Sequence, residues 1–203
     1  MKFTSLRKTL NKKFKTIQLN DIWGELLEEF EPFGMWLIYG GEKMGKTTLS
    51  LSLAKSFTEF KRTLYIQAEQ GLDKDFQKVL GRIFDSKSKN ILLSDYINIE
   101  NLKEALGRRN QADVIFIDNL TIYSDELRVP DLKNLIETYP NKLFIFIAHE
   151  EDGKPYTAIA KKIKKLSKRV IKIEGHAAFI EGRVKNKKIA IDIKDAMIYH
   201  GTL

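Results

Sequence analysis

The sequence predicts an α/β fold: a mostly parallel central sheet with helices on both faces, ending in a β-meander. Three observations carry that reading. Short apolar runs at 35–39, 63–67, 91–93, 113–117 and 143–147 alternate with helical patterns near 46–58, 72–84, 99–109 and 130–138. Continuous apolar strands separated by helices mean a parallel sheet covered on both sides. Between the first strand and the next helix, Gly40-Gly41-Glu42-Lys43-Met44-Gly45-Lys46-Thr47 fits the pattern G-x-x-x-x-G-K-[ST] at every fixed position. Finally, Val114-Ile115-Phe116-Ile117-Asp118 is an apolar strand that delivers one carboxylate at its carboxyl end.

The 203 residues suit one domain over 21–203 preceded by a basic amphipathic arm over 1–20. With 43% hydrophobic residues and no long apolar run, a core is expected and a membrane span is not. Cysteine is absent, which excludes a disulfide scaffold or thiolate metal site and suits a reducing, cytoplasmic setting. The start lacks the apolar segment of a secretory signal. The formal charge of +8 is placed unevenly. Lys2, Arg7, Lys8, Lys12, Lys13 and Lys15 precede the first acid, Asp21, and a second block runs through Lys154, Lys161, Lys162, Lys164, Lys165, Lys168, Arg169 and Lys172. Such blocks attract polyanions, or line a solvated helix face.

In chain order, Phe3, Leu6, Leu10, Phe14 and Ile17 recur at helical spacing within the arm. That stripe folds back on its own domain, docks on a neighbouring subunit, or lies on a membrane surface, ranked in that order. A short acidic helix follows from Asp21 to Glu31, stopped by Pro32. The strand 35–39 then feeds the glycine loop. Gly40 and Gly45 let backbone N–H groups turn inward around a phosphate chain, and the helix opening at Lys46 adds its positive end. Lys46 reaches the terminal phosphates of a nucleotide and the Thr47 hydroxyl ligates Mg²⁺, with Thr48 completing the binding stretch from Gly40.

Asp118 ends its strand in the crevice where open parallel sheets bind ligands, beside Mg²⁺. The competing role, an N-cap, is one that Asn119 could fill. Hydrolysis also needs a group to hold water in line with the terminal phosphate. Glu69, at the end of Leu64-Tyr65-Ile66-Gln67-Ala68-Glu69, is the candidate, against a capping role; Asp73 and Asp75 read as the first turn of the next helix. His149 ends Phe144-Ile145-Phe146-Ile147-Ala148-His149 and either senses the terminal phosphate or is a satisfied polar residue. The three histidines lack ligand spacing for a metal. Beyond 168 the runs 170–173, 177–180 and 189–193 read as strands joined by short turns.

The order GGEKMGKTT, LYIQAEQG, VIFIDNL and LFIFIAHE resembles the RecA-type P-loop ATPase core of recombinases, DnaB-type helicases and KaiC-like proteins. The stretch from Gly153 to Arg183 looks more like small phage-associated RecA-like ATPases, including Sak-type single-strand-annealing proteins. The resemblance covers roughly residues 33–195. It implies an ATPase using ATP and Mg²⁺: Lys46 and Thr47 on phosphate and metal, Asp118 supporting the metal, Glu69 activating water. It implies a ring or filament of identical subunits on single-stranded DNA in a bacterial or phage-infected cell, with a replication or recombination protein as a further partner. The loops after Asp118 and His149, with Tyr123, Arg128, Lys154 and Tyr156, would face the strand. A trans-acting cation, Arg183 or else Lys185, would complete a neighbour's site. No separate DNA-binding domain, primase-interacting domain or polymerisation tail accompanies the core. The alternatives are a nucleotide-controlled scaffold or helicase loader, and a small-molecule phosphotransferase; the latter needs an arginine-rich lid that the lone Arg108-Arg109 pair does not supply.

Overall fold

The computed structural model describes residues 3–181 and 187–201. Arg183 and Lys185 lie outside them. The chain opens with two short helices, α1 (Leu6–Leu10) and α2 (Ile22–Leu27), and then alternates: β1 (Gly34–Gly40), α3 (Lys46–Thr58), β2 (Thr63–Gln67), α4 (Lys74–Ile83), β3 (Ile91–Asp95), α5 (Ile99–Gly107) and β4 (Val114–Asp118). A 3-10 turn (Leu120–Tyr123) leads to α6 (Val129–Thr138), β5 (Leu143–Glu151), the two-residue β6 (Lys154–Pro155), α7 (Ala158–Leu166), β7 (Arg169–Glu174), β8 (Ala177–Glu181), β9 (Lys187–Ala190) and α8 (Ile193–His200).

Among the described residues these strands form one nine-stranded sheet in the order β3-β2-β4-β5-β1-β7-β8-β9, with β6 folded back on β5. From β3 to β7 the pairs are parallel, and β7, β8 and β9 form an antiparallel meander. Side chains alternate between two cores, as a pleated strand requires. Trp36, Ile38, Tyr65, Phe116 and Ile145 face Leu49, Leu53 and Phe57 of α3. Leu37, Tyr39, Ile66, Ile115 and Phe146 belong to the opposite core with α5, α6 and α7. Each fully buried side chain contributes about 1.5–3 kcal/mol. Helix starts are marked by side-chain caps: Asp73 for α4, Asn98 for α5, Thr157 for α7 and Asp192 for α8.

β5 runs between β1 and β4, and this order positions everything that follows. Gly40 pairs with His149, Ile117 with Phe146 and Gln67 with Asp118, so β1, β2 and β4 finish almost level while β5 runs on past them to Glu151.

Several expectations are corrected. The arm's helix covers only Leu6–Leu10, and Ile17 forms a β-bridge with Phe30. Only Ile17 of the stripe packs against the domain core, whereas Phe3, Leu6, Leu10 and Phe14 are 87%, 74%, 75% and 53% exposed. A helix that buries nothing is held by propensity and its Ser5 cap, which is marginal at this length. The acidic helix stops at Leu27, where Glu28 takes a positive φ of 55°. The final strand ends at Ala190, because Asp192 caps a new helix through the Asp195 N–H. The basic block contains α7, whose Ile159, Ala160 and Ile163 are buried. Three of its lysines are tied by acids: Lys164 to Glu181 at 2.9 Å and Lys168 to Glu31 at 2.9 Å, both distant in sequence, and Lys172 to Glu174, two residues on in the same strand, at 2.7 Å. Tyr123 is fully buried and donates to the Ile97 carbonyl, so it cannot stack on a nucleic-acid strand. That burial pushes its phenol up to about 12.

Candidate functional site

The glycine loop is shaped by what lies behind it. A Cβ at position 40 would stand 2.4 Å from the Ile173 carbonyl oxygen of β7, so only glycine lets β1 end there. Gly45 has a φ of +86°, and a Cβ on it would meet Ile191 at 3.0 Å. It turns the chain directly into α3 at Lys46. Glu42, Lys43 and Thr48 are exposed, whereas Met44 packs against the core. Lys46 is buried and its ammonium donates to the Gly41 carbonyl at 2.6 Å. Burial lowers its pKa; Asp118 and then Glu69 pull it back up.

Asp118 is equally buried. One of its oxygens, Oδ2, accepts from the Thr47 hydroxyl at 3.0 Å and from the Tyr65 phenol at 2.6 Å. Ser50 Oγ lies 2.8 Å from the same phenol. Burial pushes the Asp118 carboxyl above the usual range, and the bonds from Tyr65 and Thr47 oppose that shift. Neither Tyr65 nor Ser50 was found from sequence. The signal available was a phenol within the strand Thr63–Gln67, two residues before Gln67 and therefore on the same face. Tyr65→Phe should destabilise the protein by about 1.5–3 kcal/mol, the value of a hydrogen bond to a charged group, in chemical denaturation. A change under about 0.5 kcal/mol would mean that the phenol does not support Asp118.

Glu69 lies at the same edge of the sheet. Asn119 Nδ2 donates to Glu69 Oε2 at 3.1 Å, and His149 Nε2 stands 3.5 Å from Glu69 Oε1. Glu69 is not the cap of the next helix: Asp73 takes that role, accepting from the Phe76 N–H at 2.7 Å. His149 Nδ1 is buried without a partner among the described residues. Asn119 caps the turn after β4 through the Thr121 N–H at 2.9 Å, leaving Asp118 free of capping.

The structure therefore brings Lys46, Thr47, Asp118, Glu69 and His149 together around the mouth of the glycine loop. The donor set fits a hard divalent cation such as Mg²⁺. A carboxylate and a hydroxyl 3.0 Å apart supply oxygen ligands, and Mg²⁺ keeps several waters when so few protein ligands are offered. Gln67, paired in register with Asp118, is buried and its Oε1 has no partner among the described residues, an acceptor suited to such a water.

No family model matches the chain. Among solved structures, the flagellar accessory protein FlaH of Methanocaldococcus jannaschii superposes with a TM-score of 0.64 at 19% identity, over 89% of this chain and 96% of that one. A KaiC-like protein of the hyperthermophilic archaeon Pyrococcus horikoshii superposes with a TM-score of 0.54 at 16% identity, over 76% of this chain and 82% of that one. With the sheet order and the loop already described, these likenesses define the class: the chain has a RecA-like P-loop fold. No helix among the described residues is long and apolar enough to cross a membrane.

Proposed function

We propose that this protein is a Mg²⁺-dependent ATPase that assembles on single-stranded DNA and couples ATP turnover to binding or remodelling the strand, in recombination, replication or annealing. The carrying observation is the position of Glu69: it has no capping duty and stands beside His149 at the mouth of the loop that holds Lys46 and Thr47. The loop backbone from Gly40 to Thr48 cradles the triphosphate, and Lys46 places its ammonium on the terminal phosphates. Mg²⁺, when bound through Thr47 and Asp118, offsets charge on the phosphate oxygens. Glu69 takes a proton from the attacking water and His149 senses the terminal phosphate. Arg183, or Lys185 in its place, is proposed as the cation given to a neighbouring subunit's site. ATPase assays with and without single-stranded DNA test the whole reading. Stimulation supports it, and turnover indifferent to DNA overturns the coupling.

The proposed strand contacts are Lys154, Tyr156, Arg128 and the lysines of α7 that point to solvent, Lys161, Lys162 and Lys165. Tyr156, 48% exposed, follows the β5–β6 hairpin, and its N–H donates to the His149 carbonyl. Affinity should fall with salt at a slope of roughly −0.7 per phosphate neutralised. Tyr156→Ala should cost about 1–3 kcal/mol more if the ring stacks on a base. A flat salt dependence in fluorescence titrations would remove the DNA reading.

The exposed apolar stripe of the arm favours docking on a second copy of the chain. Deleting residues 3–15 should convert an ATP-dependent assembly into monomers in light-scattering measurements. The same stripe also favours a second reading, a nucleotide-controlled scaffold or loader that docks on another protein. In that case the deletion leaves self-assembly unchanged and DNA does not alter turnover.

A further inference from the structure

We infer that Asn119 is the positioning residue that holds Glu69 for its work on the attacking water, an inference that rests on the ATPase reading above. Asn119 follows the metal-binding aspartate directly and is buried to 1% exposure. Its side chain is held at both ends. The Thr121 N–H donates to Oδ1 at 2.9 Å, which fixes that end of the amide as oxygen. The NH₂ end therefore faces Glu69 and donates to Oε2 at 3.1 Å. With Oε2 engaged by the amide, Oε1 is the less encumbered oxygen for receiving a proton from water, on the side where His149 stands 3.5 Å away. A glutamate on a loop past its strand has several rotamers, and fixing one of them near the attack geometry removes an orientational cost from the barrier. Asn119 thus joins two tasks in one side chain, capping the turn after β4 and aiming the base at the end of β2.

Asn119→Asp separates those tasks. Aspartate is as good a cap as asparagine, so the Thr121 bond persists. The donor to Glu69 becomes an acceptor, and two carboxylates then repel. The expected result is a fall in kcat of about 10–100-fold, measured well below the unfolding transition, with ATP affinity by equilibrium binding within about threefold of wild type; the added buried carboxylate also lowers the melting temperature, a loss that the Glu69→Gln background shares and so separates from the effect on kcat. Asn119→Gln, which keeps an amide donor, should restore part of the rate. In the Glu69→Gln background, Asn119→Asp should cost nothing further, because the group it aims is gone. If Glu69→Gln abolishes turnover while Asn119→Asp leaves kcat unchanged, Asn119 is only a cap and this inference fails alone. A fall in ATP affinity as large as the fall in kcat also overturns it. If Glu69→Gln retains wild-type turnover, the catalytic reading of Glu69 fails, and the inference with it.

Discussion

Glu69→Gln is expected to lower ATP turnover by about 10²–10⁴-fold while leaving nucleotide affinity nearly unchanged, the range for losing a positioned general base. The amide fills the same space and can still accept from Asn119, but it cannot take up a proton. The neighbouring acid serves as the control. Asp73 accepts from the Phe76 N–H as the cap of α4, and asparagine caps as well as aspartate. Asp73→Asn should therefore leave both turnover and stability close to wild type. The assignment is wrong if Asp73→Asn abolishes turnover and Glu69→Gln spares it.

The second large effect belongs to Lys46→Ala, which should weaken ATP binding by about two orders of magnitude, corresponding to roughly 3 kcal/mol for a charge-assisted bond to phosphate. Lys46 is buried and its pKa is lowered by that burial. Removing it deletes a desolvated charge, so the melting temperature should not fall with the affinity. That distinguishes a lost ligand contact from an unfolded loop. Lys43 shows the contrast. It lies in the same loop, exposed and with a φ of 58°, and Lys43→Ala should change affinity by no more than about threefold, as befits an exposed charge. Equal ATP affinity of wild type and Lys46→Ala in calorimetric titration would refute the assignment.

The parts of this chain legible in its sequence are those with local causes. The alternation of apolar strands and amphipathic helices from 34 to 147 depends on neighbouring residues, and β2 and β4 lie at 63–67 and 114–118, against expected runs of 63–67 and 113–117. The glycine loop is legible because its geometry requires glycine at fixed steps. Distant partners are not legible. Lys164 and Lys168 look like part of one uninterrupted cationic block, yet each is paired with an acid far away in the sequence, Glu181 and Glu31. Tyr123 looks like a loop aromatic; the 3-10 turn after β4 carries it into the core. Residues 189–193 alternate as a strand would, and only the Asp192 cap marks where the helix takes over. Ile159, Ala160 and Ile163 of α7 recur at helical spacing among its lysines. Tyr65 and Asn119 could be assigned to the site only once the sheet placed β2 beside β4.

The wall behind the glycine loop has a consequence for the order in which this protein becomes competent. Gly40 is set against Ile173 and Gly45 against Ile191, so the loop is closed from behind by residues encoded far downstream of it. A growing chain on a ribosome exposes the whole motif through Thr47 long before Ile191 exists. At about 5–20 residues per second, the delay is on the order of 7–30 s. Through that interval the chain carries the motif without the surface that shapes it. A correctly shaped loop therefore marks a chain that has been made at least as far as Ile191.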